Sequence, residues 1–119
     1  MKDENLIVEK SKALAIRIVN LYKYLLDEKR EFVLSKQLLR SGTSIGANVK
    51  EAVRGQSKAD FRSKMNIALK EASETEYWLE ILFETDYLNR PQFESIHYDT
   101  VELIKILTSI VKNSSEVTE

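Results

Sequence analysis

Leu38, Gly42, Ile45, Val49 and Ala52 follow one another at alternating steps of four and three. That rhythm is the apolar seam of a helix laid lengthwise on other helices. The segment that carries most of it, RSGTSIGANVKEA at 40–52, holds two glycines and five Ser, Thr or Ala residues in what reads as helix interior. Each glycine costs a helix about 1 kcal/mol relative to alanine, so close packing has to offset it. Gly42 and Gly46, four apart, form a notch where a neighbouring backbone or a bulky side chain comes close. A tightly packed helical bundle is the fold this segment predicts.

Three glycines and one proline punctuate the remaining sequence, and each can be given a place. Helix 1 is expected over about 4–27, with Ile7, Leu14, Ile18, Leu21 and Leu25 as its stripe. The charged run DEKRE at 27–31 suits a turn, and helix 2 follows over about 33–54. Gly55 suits the left-handed position that ends a helix. Ser57 then caps helix 3, with Asp60 three residues on as an aspartate version of the capping box. Helix 3, about 58–87, repeats the four-three seam with Phe61, Met65, Ala68, Ala72, Thr75, Leu79 and Leu82. Pro91 fits a first helical position, opening helix 4 over about 91–113 with Ile96, Thr100, Leu103, Leu107 and Ile110 inside. The tail NSSEVTE is polar and expected to fray. Short connections make successive helices antiparallel, so the fold class is all-α: one antiparallel, up-down-up-down four-helix-bundle domain over residues 1–119.

Several helices carry more apolar residues than one stripe needs. Tyr77, Trp78, Leu79, Ile81, Leu82 and Phe83 surround helix 3, and helices 1 and 4 are similarly broad. Two readings stand: a wide core face, or a surface for self-association, with Tyr77, Trp78 and Ile81 as its candidate residues.

The net charge of −1 conceals an asymmetry. Residues 36–70 carry eight basic and two acidic groups, net +6, while residues 71–119 carry three basic and eleven acidic, net −8. Within the basic stretch Lys36, Arg40, Lys50 and Arg54 fall on one four-three series, with the small Thr43 and Ala47 between them. This series lies opposite the Leu38–Ile45–Ala52 edge and faces outward, and Lys58 and Arg62 extend it across the turn. Such a row can follow a phosphate backbone; it can equally be the solvated face that keeps a protein soluble. No aromatic residues are interleaved with it, so stacking on single-stranded bases is not indicated.

Catalytic and cofactor chemistry find little support. There is no cysteine, hence no thiolate nucleophile or zinc–thiolate site. His97, the single histidine, forms Glu-x-x-His with Glu94, the pair that di-iron bundles use twice; one histidine cannot supply two pairs. No metal is therefore expected. Gly46 is followed by Ala47 and Asn48, where a phosphate loop needs lysine and a hydroxyl. A serine nucleophile at Ser41 or Ser44 would need a nearby base, and the single histidine lies at the start of a different helix. The acidic pairs Glu71 with Glu74 and Glu76 with Glu80 read as a solvated face. Neither an enzyme, a cofactor nor a small-molecule substrate is expected. The start MKDENLIVEK lacks the features of a secretory signal, and no apolar run approaches the ~20 residues of a membrane span. A cytoplasmic location with no membrane partner is the expectation.

The run FVLSKQLLRSGTSIGANVKEAVRGQSKADFRSKMNIALKEASETEYWLEIL, residues 32–82, resembles the signature of the 23S rRNA intervening-sequence proteins. The RSGTSIGAN, SKADF and ALKEAxETxYWL blocks occur in order, and helices 1 and 4 fit in length and pattern. The resemblance implies a bacterial, left-handed bundle that assembles as a homopentamer. It carries no catalytic residues to transfer. A similar bundle occurs in the accessory protein of diversity-generating retroelements, which is pentameric and works with a reverse transcriptase and RNA. That relative is strongly basic, whereas this chain is not. The expected function is a non-enzymatic oligomeric module whose partners, besides its own copies, are RNA or a ribonucleoprotein component. The alternative is a protein-interaction scaffold in which the basic middle of one protomer meets the acidic half of the next.

Overall fold

The computed structural model describes residues 2–117, with side chains over 4–114. Among the described residues there are four helices: α1 (Lys2–Asp27), α2 (Leu34–Val53), α3 (Lys58–Glu84) and α4 (Arg90–Val117). Among the described residues the helices neighbour one another in a cycle, α1 beside α2, α2 beside α3, α3 beside α4 and α4 beside α1. The result is an antiparallel four-helix bundle, a rod of 49 × 21 × 20 Å.

The seams read from the sequence are the core. Leu38, Gly42, Ile45, Val49 and Ala52 are buried on α2. Met65, Ala68, Ala72, Thr75, Leu79 and Leu82 are buried on α3, with Phe61 packed at the edge. Ile96, Thr100, Leu103, Leu107 and Ile110 fill α4's inner face. On α1 Ile7, Leu14, Ile18 and Leu25 are buried, Leu21 is partly so, and Ser11 completes the stripe. A Cβ on Gly42 would lie 2.8 Å from both γ carbons of Ile18, and one on Gly46 would lie 3.5 Å from the Ser11 backbone. Ser41 and Thr75 place their hydroxyls 2.9 Å apart in the α2–α3 seam. The α1–α4 seam is the sparsest and is closed by polar contacts. Arg17 reaches Asp99 at 2.7 Å and also donates to Ser95 Oγ, while Lys10 reaches Glu102 at 3.2 Å.

The helix ends differ from the sequence reading in ways local chemistry explains. Gly55 does not take the left-handed conformation expected of it; no glycine has positive φ. Arg54 ends α2 with φ −100°, and Gly55 N–H donates to Ala52 O. A Cβ on Gly55 would sit 3.3 Å from that of Asp60, so glycine serves the close approach of α3's first turn. Left-handed residues do occur at Arg30 (φ 54°) and Asp86 (φ 71°). Asp86 halts α3 at Glu84, short of Tyr87: Tyr87 N–H bonds to Leu82 O and Asp86 N–H to Phe83 O, a Schellman pattern without glycine. Pro91 is second rather than first in α4. Asn89 caps that helix reciprocally, its Oδ1 accepting from Gln92 N–H and Gln92 Oε1 accepting from Asn89 N–H, each at 2.9 Å. Helix α4 runs to Val117, through most of the tail expected to fray; Thr118 and Glu119 lie outside the described residues.

Glu31, within the charged run 27–31, is only 7% exposed. Its carboxylate accepts from Val33, Leu34 and Ser35 N–H at 3.1, 2.9 and 2.6 Å, closing the start of α2 where Val33 offers no side-chain cap. Burial pushes its pKa up, but these backbone bonds and the Ser35 hydroxyl together hold it below the ordinary glutamate value.

Candidate functional site

The row of cations is set by the same periodicity that buries the opposite edge of α2. Lys36, Arg40, Lys50, Arg54, Lys58 and Arg62 are all exposed. They are not equivalent. Arg40 turns toward α3, pairing with Glu71 at 3.3 Å and with Glu74. Glu74 also accepts from the Trp78 indole at 2.9 Å. The indole bond first, then Arg40, hold Glu74's pKa below the usual carboxylate range, and Glu74 in turn raises that of Arg40. Arg40 is thereby a cross-helix tie whose charge is largely spent within the chain.

The other five have no ion-pair partner among the described residues. Lys36 stands apart, 14 residues or about 21 Å along the helix from Lys50. Lys50 and Arg54 flank a shallow depression with Ala47 and Glu51. Lys58 borders a second depression with Gly55 and Ser57, and Arg62 a third with Ala59, Ser63 and Asn66. Glu51, the one acid among them on α2, is drawn to Lys64 at 2.9 Å. Lys50 and Arg54 before the α2–α3 turn and Lys58 and Arg62 after it are thus four unpaired cations beside three separate depressions, the one at Arg62 being lined also by Val111 of α4. Fixed positive charge with unspent hydrogen-bond donors is suited to a polyanion.

Among the residues considered for self-association, Tyr77 is 53% exposed with its ring edge-on to Trp78. Trp78 and Ile81 are partly buried. Ile16 and Tyr98 add exposed apolar area at 54% and 70%.

His97 does not act with Glu94. Glu94 faces Arg90 at 3.5 Å, while His97 Nε2 lies 2.9 Å from Glu76 Oε2 on α3. The sequence reading missed this pair and the Glu31 cap. The signal for the first was present: in an antiparallel hairpin turning near residue 87, positions 76 and 97 sit opposite each other.

No helix among the described residues is long and apolar enough to cross a membrane. The chain matches the model of a family described as 23S rRNA-intervening sequence protein over residues 3–109. Among solved structures it is similar to a crystal structure at 1.70 Å resolution from Bacteroides thetaiotaomicron VPI-5482. That structure is of a protein with unknown function from the S23 ribosomal protein family. The two are 60% identical, with 92% of this chain and 98% of that one covered and a TM-score of 0.91. No curated protein matches.

Proposed function

Because the chain belongs to the 23S rRNA-intervening sequence protein family, we propose that it is a non-enzymatic, self-assembling bundle that associates with RNA as a ribonucleoprotein accessory in the cytoplasm. The observation that carries this reading is that Lys50, Arg54, Lys58 and Arg62, on either side of the α2–α3 turn, are exposed and without carboxylate partners among the described residues. The family's name ties it to insertions in 23S rRNA, and the Bacteroides relative is assigned to a ribosomal protein family, so RNA is the polyanion favoured. Four contacts per chain bind weakly. A homopentamer, the assembly the family resemblance implies, presents five such sets of cations and multiplies that affinity by raising the effective concentration of each further contact. Tyr77, with Trp78 and Ile81 beside it, is the candidate surface through which copies meet.

A labelled 23S rRNA fragment titrated at increasing salt tests the proposal. Four phosphate contacts give log K against log salt a slope of about −3 per chain. Lys50→Glu with Arg54→Glu should abolish binding and leave the assembly's mass unchanged. Binding that ignores salt, or survives the double substitution, contradicts it. A second reading makes the same cations a docking face for the acidic α3–α4 side of a neighbouring copy, favoured by the opposite charge of the two halves. In that case the double substitution lowers the mass seen in light scattering.

A further inference from the structure

We propose that Glu76, Glu80 and His97 form a binding site for one divalent transition-metal ion, Zn²⁺ by the chemistry of its donors, which clips α3 to α4. Each residue offers one ligand atom, and the three atoms lie within 4.8 Å of one another. Glu76 and Glu80 are four apart on α3 and so share a face; His97 meets them from α4 with Nε2 2.9 Å from Glu76 Oε2.

Two further features separate this cluster from an ordinary ion pair. The first is the way the imidazole is held. Its ring stacks on Phe93 at 4.7 Å, and Phe93 stacks on Phe83 at 4.6 Å, fixing the direction in which Nε2 points. The second is charge. Glu76 and Glu80 place two carboxylates beside one imidazole, and among the described residues no cationic side chain pairs with Glu80. Arg90, toward the same end of α4, is engaged by the Phe83 ring and by Glu94. A divalent cation supplies the missing positive charge.

The donor set selects the ion. One imidazole nitrogen with two carboxylate oxygens suits Zn²⁺, whereas Mg²⁺ and Ca²⁺ prefer all-oxygen shells. Zinc bonds to nitrogen and oxygen run to about 2.0–2.2 Å. Metal binding draws the three ligand atoms inward from their present spacing, and water completes four-coordination. Binding replaces the hydrogen bond between His97 and Glu76 with two bonds to the metal. The ligands come from two helices, so the site exists only in the folded hairpin, and metal binding stabilises the fold.

Calorimetric titration of the full chain with Zn²⁺, after EDTA treatment and dialysis, tests the site. One Zn²⁺ per chain is expected, together with a rise in melting temperature. His97→Ala and Glu80→Gln should each weaken binding at least about tenfold and remove that rise. In EDTA, Glu80→Gln should melt as the parent does, which separates loss of a ligand from loss of the fold. Co²⁺ in place of Zn²⁺ should give the visible bands of a four-coordinate site in the parent and not in Glu80→Gln. Absence of saturable uptake near one ion per chain, or unchanged affinity in either variant, overturns the proposal.

Discussion

Gly42→Ala and Gly46→Ala make the same chemical change on one helix, four residues apart, and should differ in stability, with only the second a gain. At Gly42 the new methyl would lie 2.8 Å from Ile18 Cγ1 and Cγ2 and 3.2 Å from its Cβ. Carbon atoms pack best at about 3.5–4.0 Å. Ile18 has no exposed surface into which to swing, and as a β-branched residue it has one strongly preferred helical rotamer. Relief therefore requires α1 to retreat along its seam with α2. Such overpacking costs about 1–3 kcal/mol, against about 1 kcal/mol returned by alanine's helix propensity. The net effect runs from neutral to about 2 kcal/mol destabilising. At Gly46 the methyl would meet Ser11 backbone and hydroxyl atoms at 3.5 Å, an ordinary contact. Propensity then dominates, and the variant gains up to about 1 kcal/mol. Urea unfolding followed by circular dichroism, at one protein concentration, reads both. A difference of 1 kcal/mol is about 3–6 °C in melting temperature for a domain of this size. Ile18→Ala removes both obstructing carbons, so Gly42→Ala introduced in that background should stabilise, giving a coupling of about 1–3 kcal/mol in the double-mutant cycle. If Gly42→Ala stabilises as much as Gly46→Ala, or the cycle shows no coupling, the close approach of α1 to α2 at this point is wrong.

Three further outcomes follow from the same geometry. Glu31→Gln should cost about 1 kcal/mol at neutral pH, because a charged cap on three amides becomes a neutral one. The pKa of Glu31 is lower in the fold than in the unfolded chain, so its contribution is present above the ordinary glutamate range. It fades as pH falls through the folded value, and parent and variant stabilities should converge in acid unfolding curves. Arg40→Ala should leave the salt slope of RNA binding intact, while Arg54→Ala should reduce it by about one contact. Arg40→Ala should also loosen the α2–α3 seam by no more than about 1 kcal/mol in urea unfolding, since the ion pairs it loses are largely exposed.

The inward faces were legible in the sequence because burial imposes a period on residue choice. A position such as Ala72 or Thr100 is small or apolar for no local reason and falls on its seam by spacing alone. The helix ends were less legible, because several chemistries end a helix equally well. Asp86 does at the end of α3 what Gly55 was expected to do at the end of α2, and it takes the same left-handed conformation without being glycine. Glu31 looked like one more solvent charge, since nothing in a run of five charged residues marks the one whose side chain folds back. The outward direction of the cationic row followed from spacing, but the diversion of Arg40 did not. It depends on which residues of α3 stand opposite, and so on the register of the α2–α3 hairpin. The pairing of His97 with Glu76 was hidden for the same reason. Helical periodicity assigns a residue to a face; the turn decides what that face meets.

Native mass spectrometry of the protein purified at low salt from its own host tests the functional reading most directly, because it reports subunit number and bound RNA together. A five-chain assembly carrying RNA is expected, with the RNA shed as the salt concentration of the preparation is raised. An RNA-free assembly at low salt, or a lone chain, contradicts it.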